Sequence, residues 1–112
     1  VTITPSATSS KILVMAHTTG VADTSNQFSY FTIERKISGG SNTNIGDSST
    51  GLTHLRGDAV QVTSVMCHAL DTPSTTSAIT YEFQFKTSGG GNTVQCMYQG
   101  VKSNITVLEI GA

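Results

Sequence analysis

Seven carboxylates, three histidines and two cysteines are the side chains of this 112-residue sequence that could do chemistry. Glycoside hydrolysis needs two carboxylates converging on one cleft. The candidates are Asp23, Glu34, Asp47, Asp58, Asp71, Glu82 and Glu109. Asp23, Asp47 and Asp71 fall in turn-like stretches, where an Asp side chain commonly closes its own backbone. Glu34, Glu82 and Glu109 fall on strand-like stretches, facing solvent or paired with cations such as Arg35 and Lys86. His17, His54 and His68 show no H-x-H or H-E-x-x-H spacing, and Cys67 and His68, as strand neighbours, point to opposite faces. They read as isolated histidines; a metal shared across a trimer axis is the remaining alternative. Cys67 and Cys96 lie 29 residues apart without C-x-x-C. Two buried free thiols is the first reading, and a disulfide between their strands the second, provided their Cβ vectors meet.

No G-x-S-x-G, Cys/His nucleophile pair or phosphate-cradling loop is present, and the SGGGN stretch at 88–92 precedes a strand rather than a helix. The sequence therefore predicts no enzyme, no cofactor and no metal. Arg56, Gly57 and Asp58 spell RGD, the integrin-binding tripeptide, but so short a motif needs context; Gly57 reads as a turn residue between solvating charges. The Asn104-Ile105-Thr106 sequon sits in an apolar strand and reads as coincidental.

Only 12% of residues are charged, against about 25% in an average soluble domain, and the 14 Ser, 18 Thr and 11 Gly keep the surface polar without charge. A net charge of −1 offers no footprint for phosphate backbones or anionic lipid. The longest apolar run, Ile12 to Ala16, is far below the roughly 20 residues of a membrane helix. No nucleic acid and no membrane insertion are expected. The length suits one domain over residues 1–112, and the start at Val1 reads as a processed product or as part of something longer.

Those side chains must be positioned by strands, because period two dominates and no stretch carries apolar residues at helical spacing. Strands are expected at 11–17, 27–37, 58–70, 77–87, 93–99 and 103–110, with short ones near 1–4 and 43–48. Between them, Gly, Asn, Asp and Ser supply turns. In 77–87, Ile79, Tyr81, Phe83 and Phe85 share one face and Thr80, Glu82, Gln84 and Lys86 the wet one. In 58–70, Val60, Val62, Met66 and Leu70 are expected inward, against the partly polar row Gln61, Thr63, Val65, Cys67 and Ala69. Residues 12–16 are apolar on both faces, as are Leu108 and Ile110 set against Ile105 and Val107. A single sandwich has no third layer, so an apolar outer row predicts a homo-oligomer. The fold class is all-β: an antiparallel, jelly-roll-like β-sandwich of about eight strands. An immunoglobulin domain fits worse, given no Trp and a short Cys spacing.

Three segments carry a family resemblance: ITPSATSSKILVMAH, LDTPSTTSAITYEFQF followed by GGGNTV, and the closing ITVLEIGA. In order and spacing they resemble the C-terminal β-sandwich modules of tail-fibre-like proteins of tailed bacteriophages, marine and cyanobacterial ones especially; residues 38–57 form an unmatched loop. The resemblance implies a homotrimer on the virion surface that adheres to a bacterial cell-surface glycan or protein, alongside other virion proteins. A capsid decoration or head-fibre structural protein is the alternative, and a non-viral adhesive domain a third. The resemblance brings no catalytic residues; Asp71, Pro73 and Tyr81 take structural roles. The long loops around 18–26 and 38–57 are the expected recognition surface, with Asp23, Asn26, Asn42, Asn44 and Asp47 as candidate binding residues. The absence of Trp weakens a version that stacks sugars on indole.

Overall fold

The computed structural model describes residues 1–22, 27–57, 61–89 and 93–111. Nine strands are present among them: β1 (Thr2–Ile3), β2 (Lys11–Ala22), β3 (Gln27–Ile37), β4 (Asn42–Asn44), β5 (Thr53–Gly57), β6 (Gln61–Asp71), β7 (Ile79–Thr87), β8 (Val94–Cys96) and β9 (Asn104–Ile110). A short 3-10 turn covers Tyr98–Gly100. All pairings are antiparallel.

The strands form a two-layer sandwich. The front sheet runs β1-β7-β3, with β4 and β5 both on the far edge of β3, and the back sheet runs β6-β2, with β8 and β9 both on the far edge of β2. β5 covers Gln27 to Phe31 and β4 covers Glu34 to Lys36. In the back sheet β9 covers Lys11 to His17 and β8 covers Gly20 to Ala22. One long strand thus organises each sheet. The chain passes between sheets at most of its connections, the jelly-roll-like path expected from the sequence.

Period two selects the core. Ile12, Val14 and Ala16 of β2, Phe31 and Ile33 of β3, Val65 and Cys67 of β6, and Ile79 and Tyr81 of β7 are all buried. Each large side chain among them contributes roughly 1.5–3 kcal/mol relative to an exposed position. Phe83 packs partly against this core, whereas Phe85, on the same row, is 48% exposed where the sandwich opens.

Several expectations need correction. The inward row of β6 is the opposite one: Val65 and Cys67 are buried, while Val62, Met66 and Leu70 are 53%, 65% and 56% exposed; Val60 lies outside the described residues. The register explains it. The buried β2 row pairs Thr18 with Val65, Ala16 with Cys67 and Val14 with Ala69, so these residues share the inner face. Residues 38–57 are not one loop, since β4 and β5 lie within them; Arg56 and Gly57 therefore end a strand, and Asp58 lies outside the described residues. The loop expected from residue 18 begins later, because β2 runs to Ala22. The strand expected over 93–99 is cut to Val94–Cys96 by Met97 and Gln99, which adopt φ of 58° and 55°.

Asp71 ends β6 rather than closing a turn, and Arg35 pairs with it instead of with a Glu. Arg35 Nη1 donates to Asp71 Oδ1 at 2.7 Å, and the Tyr81 hydroxyl donates to Asp71 Oδ2 at 2.7 Å. One carboxylate from the back sheet thereby ties β3 and β7 of the front sheet, and Pro73 is buried just beyond it. Burial first, and then the hydrogen bond to Asp71, push the Tyr81 phenol well above its usual range. The two thiols are free. They flank β2 on opposite sides, Cys67 across from Ala16 and Cys96 across from Gly20. Two strand spacings, about 9.5 Å, exceed what a disulfide spans.

Candidate functional site

The two outward faces of the sandwich differ in chemistry. On the front sheet, alternation in QFSYFTIE sends Ser29, Phe31 and Ile33 inward and Phe28, Tyr30, Thr32 and Glu34 outward. The pairings then build rows across this face. Tyr30 lies between His54 of β5 and Lys86 of β7; Phe28 lies beside Arg56; Thr32 lies beside Gln84; Glu34 lies between Asn44 of β4 and Glu82 of β7.

Phe28, Tyr30 and His54 form an aromatic cluster with no layer above it among the described residues. The Phe28 and Tyr30 rings are nearly parallel, 10° apart with centroids 6.0 Å apart, and the His54 ring meets them edge-on at 5.4 and 6.3 Å. Lys86 Nζ stands 5.7 Å from the Tyr30 centroid, within reach of a cation–π attraction. Beside the cluster a cleft of about 370 Å³ runs over Tyr30, Thr32, Glu34, Gln84 and Lys86, walled by Asn44 and Ser48.

The wall is a short excursion of the chain between β4 and β5. The Ile45 amide donates to the Ile33 carbonyl and the Leu52 amide to the Phe31 carbonyl, so residues 46–51 leave β3 and return to it. Gly51 has φ of +71°, and a Cβ there would lie 2.4 Å from the Phe31 carbonyl oxygen; only glycine fits. Asn44 Oδ1 accepts from the Thr32 hydroxyl and the Gly46 amide, and Asn44 Nδ2 donates to the Asp47 carbonyl. Asp47 Oδ1 accepts from the Ser49 and Thr50 amides and the Thr50 hydroxyl. Thr50's amide, then its hydroxyl, and then Ser49's amide hold the Asp47 carboxyl below the usual range.

Of the candidate binding residues, Asn44 lines the cleft and Asp47 holds its wall. Asn42 donates from Nδ2 to Glu34 Oε2 at 2.9 Å, orienting that carboxylate. Asp23 and Asn26 lie outside the described residues. The cleft floor comes instead from strand residues, Tyr30, Thr32, Glu34, Gln84 and Lys86. Half of it was visible as the wet row Glu82, Gln84, Lys86; the parity of Phe28 and Tyr30 was the signal for the other half. Glu34 and Glu82 sit directly opposite across β3 and β7. Among the described residues no group of three His, Cys, Asp or Glu side chains is arranged to hold a metal ion, and no helix is long and apolar enough to cross a membrane.

The back sheet exposes large apolar side chains among polar ones. Leu13 lies between Leu70 and Leu108, Met15 between His68 and Thr106, and His17 between Met66 and Asn104. Leu70, Leu108, Ile110 and Met66 are 44–65% exposed. A shallow groove of about 360 Å³ crosses β2 here, bounded by Met66, Asn104 and Thr106.

In comparison with known proteins, no family model, no curated protein and no solved structure matches the chain.

Proposed function

We propose that the chain is a virion-surface adhesion module of a tailed bacteriophage, a homotrimer that buries the back sheet between copies and binds a bacterial cell-surface glycan with the front sheet. It is a binding module rather than an enzyme. The observation that carries this reading is the contrast between the faces: Leu13, Met66, Leu70, Leu108 and Ile110 on one, and the Phe28–Tyr30–His54 cluster with its polar cleft on the other. The phage setting comes from the resemblance of the three sequence segments to tail-fibre-like modules.

Solvent-exposed apolar rows of this size mark association surfaces. The molecule measures 46 × 25 × 20 Å, so one broad face offers on the order of 1,000 Å², above the roughly 800 Å² per partner of a stable interface. A glycan needs an apolar platform and fixed donors and acceptors around it; Tyr30 supplies the first, and Thr32, Gln84, Glu34 and Lys86 the second. Three copies per fibre multiply a weak site into firm attachment.

The same apolar back face also favours a second reading, a capsid decoration or head-fibre protein that buries it against the particle. Sedimentation and adsorption assays separate the two. The adhesion reading expects a trimer in solution and a purified protein that blocks phage adsorption, with Tyr30→Ala abolishing the block. A stable monomer that leaves adsorption unaffected, with labelled chain on heads alone, supports decoration and overturns adhesion.

A further inference from the structure

The charges of the front face are sorted along its length. Among the described residues, Arg56 and Lys86 flank the Phe28–Tyr30 rings at one end, with the His54 ring beside them, and Glu34 and Glu82 stand together at the other; Asp47, on the cleft wall, is within longer electrostatic reach of Lys86. Four residues of strand separate the Tyr30 and Glu34 rows, about 14 Å. Among the described residues no carboxylate lies within 4.0 Å of the Lys86 ammonium, which leans over the Tyr30 ring as an exposed cation. At the far end each carboxylate accepts a side-chain amide hydrogen, Asn42 to Glu34 and Gln84 to Glu82, and keeps lone pairs for further donors.

Resting on the glycan-binding reading, we propose that this cleft selects acidic polysaccharides whose repeat alternates an acidic sugar with neutral ones. A ring bearing a carboxylate stacks at Tyr30 with its charge on Lys86, and the next rings offer hydroxyls to Glu34 and Glu82. Stacking on an aromatic face tolerates many sugars, so the selectivity comes from charge. A neutral ring leaves Lys86 only the longer-range attraction of Asp47. A second carboxylate about 14 Å further along meets two like charges. The sorting therefore favours one acidic ring alternating with one neutral ring over an unbroken run of uronates.

The test is affinity electrophoresis of the purified protein in soluble polysaccharides: alternating acidic heteropolymers (hyaluronate, xanthan), the homopolymer polygalacturonate, neutral dextran, and the carboxyl-reduced form of each acidic polymer. The proposal expects retardation by an alternating acidic polymer, weakened roughly tenfold by carboxyl reduction, by added salt, or by Lys86→Met. Lys86 is exposed, so an unchanged melting temperature of Lys86→Met certifies its fold. Equal retardation by native and carboxyl-reduced polymers, an unaltered Lys86→Met, or stronger binding to polygalacturonate overturns the proposal. If neutral polymers bind and Tyr30→Ala alone abolishes it, the selectivity fails and the glycan site stands. If no polymer binds and Tyr30→Ala leaves adsorption intact, both fail.

Discussion

Gly51 and Tyr81 show how single residues set this molecule. The positive φ of Gly51 and the 2.4 Å approach to a backbone oxygen mean that Gly51→Ala must move β3 or the 46–51 excursion. A loss of roughly 2–4 kcal/mol is expected, read as a lowered urea midpoint with the cleft wall displaced. Tyr81 and Cys67 govern alkaline behaviour. Both are buried and both are held in the protonated form, the Cys67 thiol pushed up to about 11 by burial. A group whose pKa is raised in the folded state contributes stability that is complete below its unfolded value and declines as pH rises toward its folded value. The chain is therefore expected to lose stability from about pH 8.5, where an unfolded thiol titrates, and further above about pH 10, where an unfolded phenol does. Urea unfolding across that range checks it: Cys67→Ala should flatten the first part of the decline and Tyr81→Phe the second. Tyr81→Phe should also cost roughly 1–2 kcal/mol at neutral pH, because Asp71 Oδ2 loses its donor.

At the scale of elements, the sheet faces divide into those that alternation decides and those it does not. β7 was legible because its rows differ: Ile79, Tyr81 and Phe83 against Thr80, Glu82 and Gln84. β6 was not, since Val62, Met66 and Leu70 are as apolar as Val65, Cys67 and Ala69. Only the pairing with β2, a contact far apart in sequence, selects the inner row. β5 escaped notice because THLRG alternates over only five residues around a single large apolar side chain, Leu55, and its register depends on the β3 edge. The cleft was half legible for the same reason: a row of polar residues shows on one strand, but its alignment with Tyr30 does not. The exposed row gives a direct prediction. Met66→Ser with Leu108→Ser is expected to convert the proposed trimer to monomer in sedimentation while leaving the melting temperature of the monomer nearly unchanged, since neither side chain joins the core. A persisting trimer would show that another surface joins the copies.

The whole molecule is a long slab, 46 Å by 25 Å and 20 Å thick, with long strands at its centre and short ones at three of its margins. A continuous strand edge is a template for unwanted pairing. Here the far edges of β2 and β3 are each covered by two short strands with a gap between them, at residues 97–103 and 45–52. Each gap is a place where chain can be lengthened or exchanged without breaking the ladder on either side, since added loop length costs little entropy. One of these gaps already forms the wall of the cleft. The split margins thus give the slab two cassettes, one on each sheet, in which new sequence can arise while the core strands stay untouched, so that the surface beside the cleft can change faster than the fold that carries it.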